Sequence, residues 1–440
     1  MDAHSRGATE RRQPVQRLPG LIMLLCCMVG LFTASLFFQP ALAHAAAQGK
    51  QATNTGMSRT ANVPAAPLPS AGQPNFGPNV YIFNPQMPLS QIQATVNAVA
   101  NQQISNQFGT QRYALLFEPG TYGSSTAPLK FQVGFYTTVA GLGLSPSDVV
   151  INGSIDVYNQ CFSSTNCIAL DNFWRSLSNL TINVNNPNAG CYSAEFWAVS
   201  QAAPMRRVHV NGATTLMDYC SQPSYASGGF IADSVFNGAV TNGSQQQFMV
   251  RNSNLTSWSN GVWNQVFSGV VGAPAQCFPA QKSCGGPYTT VAASPVTREA
   301  PYLYTDANGH DAVFVPSVQH NSVGASWANG ATAGTSIPIK KFFIAQPTDS
   351  ALTINRAVLS GKNLILTPGI YNLNLSILIA RPDTVVLGLG FPTLIPQNGI
   401  VPMIVAGVKG VSISGMIFDA GTKNSAALLL VGVGHFNDKD

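Results

Sequence analysis

Between Val149 and Val271 the chain alternates apolar and polar residues in short runs, each closed by Asn, Gly or Ser. Asp148-Val149-Val150-Ile151-Asn152-Gly153, Leu180-Thr181-Ile182-Asn183-Val184, Arg207-Val208-His209-Val210-Asn211-Gly212 and Ser234-Val235-Phe236-Asn237-Gly238 are four of them. Phe248-Met249-Val250-Arg251-Asn252 and Val266-Phe267-Ser268-Gly269-Val270 continue the series, with almost no helical periodicity between the runs. Period-two alternation predicts strands. Strands that recur this way predict a parallel β-solenoid, in which each coil buries its inward side chains against its neighbours and is unstable alone. Asn is accepted at the tight turns of such coils because its side-chain amide bonds nearby groups.

A longer phrase is written twice. Leu115-Leu116-Phe117-Glu118-Pro119-Gly120-Thr121-Tyr122 returns as Leu364-Ile365-Leu366-Thr367-Pro368-Gly369-Ile370-Tyr371, and Val139-Ala140-Gly141-Leu142-Gly143 returns as Val386-Leu387-Gly388-Leu389-Gly390. Helical spacing precedes each copy, over Ile92 to Ile104 and Leu352 to Leu359, with Ile92, Val96, Val99 and Ile104 on one face. Such a helix suits the open end of a first coil, whose unpaired strand edge needs a cover. Internal duplication of this kind predicts two copies of one architecture. The expected fold is all-β: two tandem right-handed parallel β-helices, the first over 78–271, an inter-domain segment over 272–336 rich in Pro, Gly and Ala, and the second over 337–440. Far fewer runs follow the second phrase than the first, so the second β-helix is expected to be incomplete.

Composition narrows the class. Only 9% of residues are charged and the formal charge is +5, against roughly 25% charged residues in ordinary globular chains. Amide and hydroxyl residues fill the surface instead. No basic stripe marks a nucleic-acid partner. Residues 1–43 read as a secretory signal peptide, with Arg11, Arg12 and Arg17 ahead of the apolar stretch Leu21 to Phe38 and Ala41-Leu42-Ala43 at the cleavage positions. A membrane anchor is the other reading of that stretch; after cleavage no membrane association is expected. Residues 44–77 lack apolar periodicity and read as a disordered linker. Six cysteines follow: Cys161, Cys167, Cys191, Cys220, Cys277 and Cys284. An even number in an exported chain favours disulfides, with 161/167 and 277/284 closing short loops and 191/220 spanning about one coil, one of many pairings six cysteines allow. No zinc-type spacing occurs and no cofactor or metal is expected.

A helix, an apolar-Pro-Gly-x-Tyr phrase and Val-x-Gly-Leu-Gly, all repeated, resemble the pectin-lyase-like fold. More closely they resemble the tandem β-helices of glycoside hydrolase family 55, the exo-acting β-1,3-glucanases. The segment Gly243 to Asn252, with Trp258 and Trp263-Asn264-Gln265, is similar to allied secreted proteins, some of which bear the name adenylyl cyclase. The sequence offers neither the nucleotide cradle nor the paired metal carboxylates that a cyclase needs. The resemblance implies a secreted carbohydrate-active protein that holds an extracellular, β-glucan-like polysaccharide in the cleft between its β-helices. A non-catalytic glycan-binding or adhesion scaffold is the alternative, since fold alone does not fix activity.

Glycoside hydrolysis needs two carboxyl groups. Past the leader the glutamates are Glu118, Glu195 and Glu299. Glu195 lies in Ala194-Glu195-Phe196-Trp197, an acid beside aromatics, and with Asp171 and Asp233 it is a catalytic candidate. Stacked aspartates also cap turns in such folds. Glu118 stands where the second copy has Thr367, so the fold does not demand a carboxylate there. Trp197, Arg251, Trp258 and Trp263 are the candidates for substrate binding, since indole faces stack on sugar rings and guanidinium groups bond hydroxyls; core packing is the plainer reading of the tryptophans. In the resembled family the catalytic glutamate belongs to the second β-helix. No glutamate follows Glu299, so no catalytic residue is carried over.

Overall fold

The computed structural model describes residues 63–67, 73–186, 190–279 and 286–433. The proposed leader and Cys284 lie outside them. The first solenoid is one parallel sheet path whose successive strands come from successive coils: Val80–Phe83, Tyr113–Phe117, Thr137–Gly141, Arg175–Val184, Met205–Asn211, Phe230–Ala232, Gln247–Arg251, Asn264–Ser268 and Tyr288–Val291. The second stacks three parallel sheets, with Phe342–Ala345, Asn363–Leu366, Val385–Gly388 and Ser412–Ser414 along one of them. The protein is a parallel β-helix protein. None of its described helices is long and apolar enough to cross a membrane.

The repeated phrase has one physical meaning in both copies. The hydroxyl of Tyr122 donates to the carbonyls of Phe83 and Glu118, and that of Tyr371 donates to those of Ala345 and Thr367, so each tyrosine ties the turn to the preceding coil. Leu142 N–H donates to Phe117 and Leu389 N–H to Leu366. A Cβ on Gly141 would lie 2.1 Å from the carbonyl oxygen of Asn179, and one on Gly388 would lie 2.4 Å from that of Gly415. Each glycine therefore sits where the next coil's backbone passes too close to admit a side chain.

Each solenoid also opens with the same cover. Helix α1 (Leu89–Gln103) buries Ile92, Val96, Val99, Ala100 and Gln103, and helix α2 (Ala351–Leu359) buries Ala351, Ile354 and Val358. Beyond apolar cover, each supplies an amide to a strand edge. Gln93 accepts from Lys130 N–H and donates to its carbonyl, while Asn355 accepts from Leu378 N–H and donates to the carbonyl of Ser376. Both polar groups of an exposed edge are satisfied by one side chain.

Along the first solenoid an asparagine ladder runs from coil to coil. Asn183 donates to Asn152 at 2.9 Å, Asn211 to Asn183 at 2.8 Å and Asn237 to Asn211 at 2.8 Å. At a second corner Asn179, Arg207, Asp233 and Asn252 all adopt positive φ, between 45° and 56°. There the ladder becomes ionic: Arg207 bonds Asn179 at 3.2 Å and pairs with the fully buried Asp233 at 3.1 Å.

The structure differs from the sequence reading in three places. Residues 63–67 and 73–77 are not a free linker, because Phe76 and Ala66 are buried against the first solenoid and Ala66 N–H donates to Pro78. The first solenoid runs past residue 271, with Tyr288–Val291 adding a parallel strand to Asn264–Ser268. The segment after it forms an antiparallel sheet of Tyr302–Thr305, Asp311–Pro316 and Gly334–Pro338. Antiparallel strands of this kind need no coil repeat, so solenoid periodicity does not mark them.

Disulfides join Cys161 to Cys167 and Cys191 to Cys220. Cys277 is also disulfide-bonded.

Candidate functional site

Glu195, Asp171 and Asp233, the carboxylates proposed from sequence, line neither of the two cavities described below. Glu195 is fully buried, and both its oxygens accept from Ile155 N–H at 3.3 and 3.2 Å. Its neighbour Asp156 is also buried, accepting from Phe196 N–H, the Ser154 hydroxyl and the Tyr158 hydroxyl. Burial raises both acids, Asp156 to about 6, and the charge of Asp156 pushes Glu195 further up. Asp233 is raised to about 6 by burial, against the pull of Arg207. Its oxygens accept from Arg207 and from the amide and hydroxyl of Ser326. Neither buried acid can reach a glycosidic oxygen. Asp171 is half-buried on the turn before Trp174 and lines neither of the two cavities described below.

The substrate-binding candidates lie as follows. Trp197 is fully buried in the solenoid core and its indole N–H donates to Ala203. Trp258 is buried between Phe248 and Phe267, with ring centroids 5.7 and 5.2 Å away. Neither offers a free face, because each fills the space between coils. Arg251 is committed to Glu299 at 2.6 Å. Trp263 is exposed but lines neither cavity.

A cleft of about 540 Å³ does lie between the solenoids. Aromatic side chains from both halves line it, Trp174 and Phe391 among them. Trp174 stacks on Tyr136 with centroids 5.2 Å apart and planes 12° apart, and Phe391 of the second solenoid packs into the same cluster. Arg112 lies 3.8 Å from the Tyr136 ring and bonds Thr393 at 3.0 Å, joining the two solenoids. Tyr136, Trp174 and Phe391 hold φ of 53°, 50° and 56°. Bulky side chains in the left-handed region are strained, and such strain persists where surrounding structure over-determines it, frequently at binding sites.

One wall carries hydrogen-bonding groups: Ser176, Ser178 and Thr138 on neighbouring strands, then Arg206. Glu299 is the cleft's single lining carboxylate among the described residues. Arg206 binds one of its oxygens at 3.1 Å and Arg251 the other at 2.6 Å. Two guanidinium partners hold this carboxylate in place and occupy both of its oxygens. Sequence reading missed Trp174 and Phe391. Their shared positive φ has no signature in residue type.

A larger cavity of about 1080 Å³ opens elsewhere, bounded by Phe76, Glu118, Asp148, Tyr304, Asp306 and Asp311 among others. Burial and the charge of Asp311 raise Glu118, and burial raises Asp311. Among the described residues no three His, Cys, Asp or Glu side chains are placed to share a metal ion.

Fold and sequence comparison agree on the class. Residues 92–277 match the family described as rhamnogalacturonase A/epimerase, pectate lyase-like, and residues 342–440 match the LAM55 pectate lyase-like domain. The chain is a pectin-lyase-like tandem β-helix protein resembling glycoside hydrolase family 55. It is 47% identical over 370 residues to an exo-β-1,3-glucanase of Streptomyces sp. (strain SirexAA-E / ActE), an alignment covering 84% of this chain and 57% of that enzyme. The solved structure of sacteLam55A from Streptomyces sp. SirexAA-E superposes with a TM-score of 0.74 at 46% identity, covering 82% of this chain and 61% of the other. A variant of sacteLam55A in complex with glucose gives 0.75 at 46% identity, with 82% and 62% covered. The chain thus spans less than two thirds of the length of these relatives.

Proposed function

We propose that this chain is a secreted β-1,3-glucan-recognising protein that holds its glycan in the cleft between the two solenoids. The observation that carries the reading is the pair of aromatic side chains Trp174 and Phe391, one from each half, that line the cleft at positive φ beside a wall of Ser176, Ser178 and Arg206. Pyranose rings present C–H faces to aromatic planes and hydroxyls to serine and guanidinium donors. The likeness to an exo-β-1,3-glucanase supports β-1,3-glucan as the polymer. Two disulfides within the first solenoid support an oxidising, extracellular setting.

Cleavage of a glycosidic bond takes a proton donor and a second carboxylate. Glu299 is doubly paired with arginine and serves as an anchor for Arg206. The described residues therefore carry recognition, and bond cleavage is not assigned to any of them. Calorimetric titration with soluble β-1,3-gluco-oligosaccharides tests the reading. Binding by the wild type and its loss, by tenfold or more, in Trp174→Ala are expected. No heat of binding from the wild type would overturn the proposal.

A further inference from the structure

Six aromatic side chains are strongly exposed among the described residues: Phe108, Phe162, Tyr219, Tyr225, Trp263 and Phe278. Three of these belong to one small region of the first solenoid, and none of the three lines the cleft. Phe162, 59% exposed, sits at an irregularity of the hairpin formed by Gln160–Ser163 and Asn166–Ile168. Tyr225 is 57% exposed and Tyr219 42% exposed, on the neighbouring segment. That segment is laced to the hairpin, because Cys167 N–H donates to Gln222, Ser224 N–H to Cys167 and Ala169 N–H to Tyr225. Adjacent chains in such pairing lie about 4.8 Å apart, so the three aromatic positions fall within the span of a short oligosaccharide.

The region is also rigid. The Cys161–Cys167 disulfide closes the hairpin, and the Cys191–Cys220 disulfide fixes the residue next to Tyr219. Buried Asp218 accepts from Asn159 N–H, Cys220 N–H and the Ser221 hydroxyl, pulling the two segments together. The ring of Tyr219 rests on Phe196 at 5.4 Å, and its hydroxyl bonds the carbonyl of Cys191. Exposed aromatic groups that cannot retract into a core are held out for a partner.

The chemistry of the surroundings selects that partner. Residues 157–170 and 219–232 contain no Asp, Glu, Lys, Arg or His. Hydroxyl, amide and aromatic side chains surround the patch, which suits a neutral, hydroxyl-rich polymer and gives an ionic one nothing to pair with. We propose that Phe162, Tyr219 and Tyr225 form a surface platform for a neutral glucan chain, separate from the cleft and serving to keep the protein on its polymer. The identity of the polymer, β-1,3-glucan, rests on the reading of the cleft given above.

The test compares retention on insoluble β-1,3-glucan particles with calorimetric binding of soluble β-1,3-gluco-oligosaccharides. In Phe162→Ser/Tyr225→Ser, retention is expected to weaken about tenfold, or about 1.4 kcal/mol, with soluble binding and melting temperature unchanged. The ring-preserving pair Phe162→Tyr/Tyr225→Phe should keep wild-type retention. Equal retention by the serine variant overturns the platform, as does a wild type that is not retained. Loss of soluble binding in every variant and the wild type would instead overturn the cleft reading, leaving the platform to be decided on the particles.

Discussion

The buried pair Asp156 and Glu195 makes an unusual prediction about pH. Both carboxyl groups are raised by burial, Asp156 from an ordinary 3.8 to about 6. A folded-state acid with a raised pKa keeps its proton after the unfolded chain has released it. Its stabilising contribution is therefore complete below pH 4 and declines as pH rises through about 6. The gap for Asp156 is a little over two pH units, which at about 1.36 kcal/mol per unit is worth about 3 kcal/mol. The two groups titrate as a pair, so the curve belongs to both. Glu195→Gln keeps an acceptor oxygen for Ile155 N–H and removes one titrating group. Denaturant unfolding of wild type and variant, followed by circular dichroism from pH 4.5 to 7.5, isolates the contribution of Glu195, because titrations common to both proteins cancel in the difference. The variant should gain on the wild type as pH rises, because the variant has lost a group whose charged form burial disfavours. A difference that stays constant with pH, or that grows toward acid, would refute the assignment of a shared, largely protonated site.

Other expectations concern the ladders and the coil contacts. Arg207→Met leaves Asp233 buried without its cation and should destabilise by about 3–5 kcal/mol, and adding Asp233→Asn should recover a large share in the same unfolding assay. Asn211→Ala removes one rung from a half-exposed ladder and should cost about 1 kcal/mol, read as a lower denaturant midpoint with unchanged slope. Gly141→Ala places a methyl group 2.1 Å from the Asn179 carbonyl and should cost about 3 kcal/mol, measured by thermal unfolding.

Architecture was legible in the sequence because a solenoid repeats its own environment. The alternating runs mark strands, the asparagines at their ends become ladder rungs, and the duplicated glycines mark the closest backbone approach. Sites were much less legible. Tryptophans look alike in sequence whether they fill a coil, as Trp197 and Trp258 do, or line a cleft, as Trp174 does. The difference is set by which coil stands opposite, a long-range fact. Acids behave similarly: Glu195 and Asp233 are paired with groups from other coils, and Glu299 is neutralised by Arg206 and Arg251, far from it along the chain. The antiparallel strands between the solenoids escaped for a simpler reason. They follow no repeat.

Each solenoid brings its own starting block, a helix whose single amide, Gln93 or Asn355, satisfies both polar groups of a strand edge. The first coil laid on such a block meets a finished template, and every later coil copies the register of the one before. Assembly then resembles growth of a crystal from a seed, with two seeds in one chain. Coils can be added to or removed from either stack without altering how it begins, which makes length the most freely varied property of this architecture.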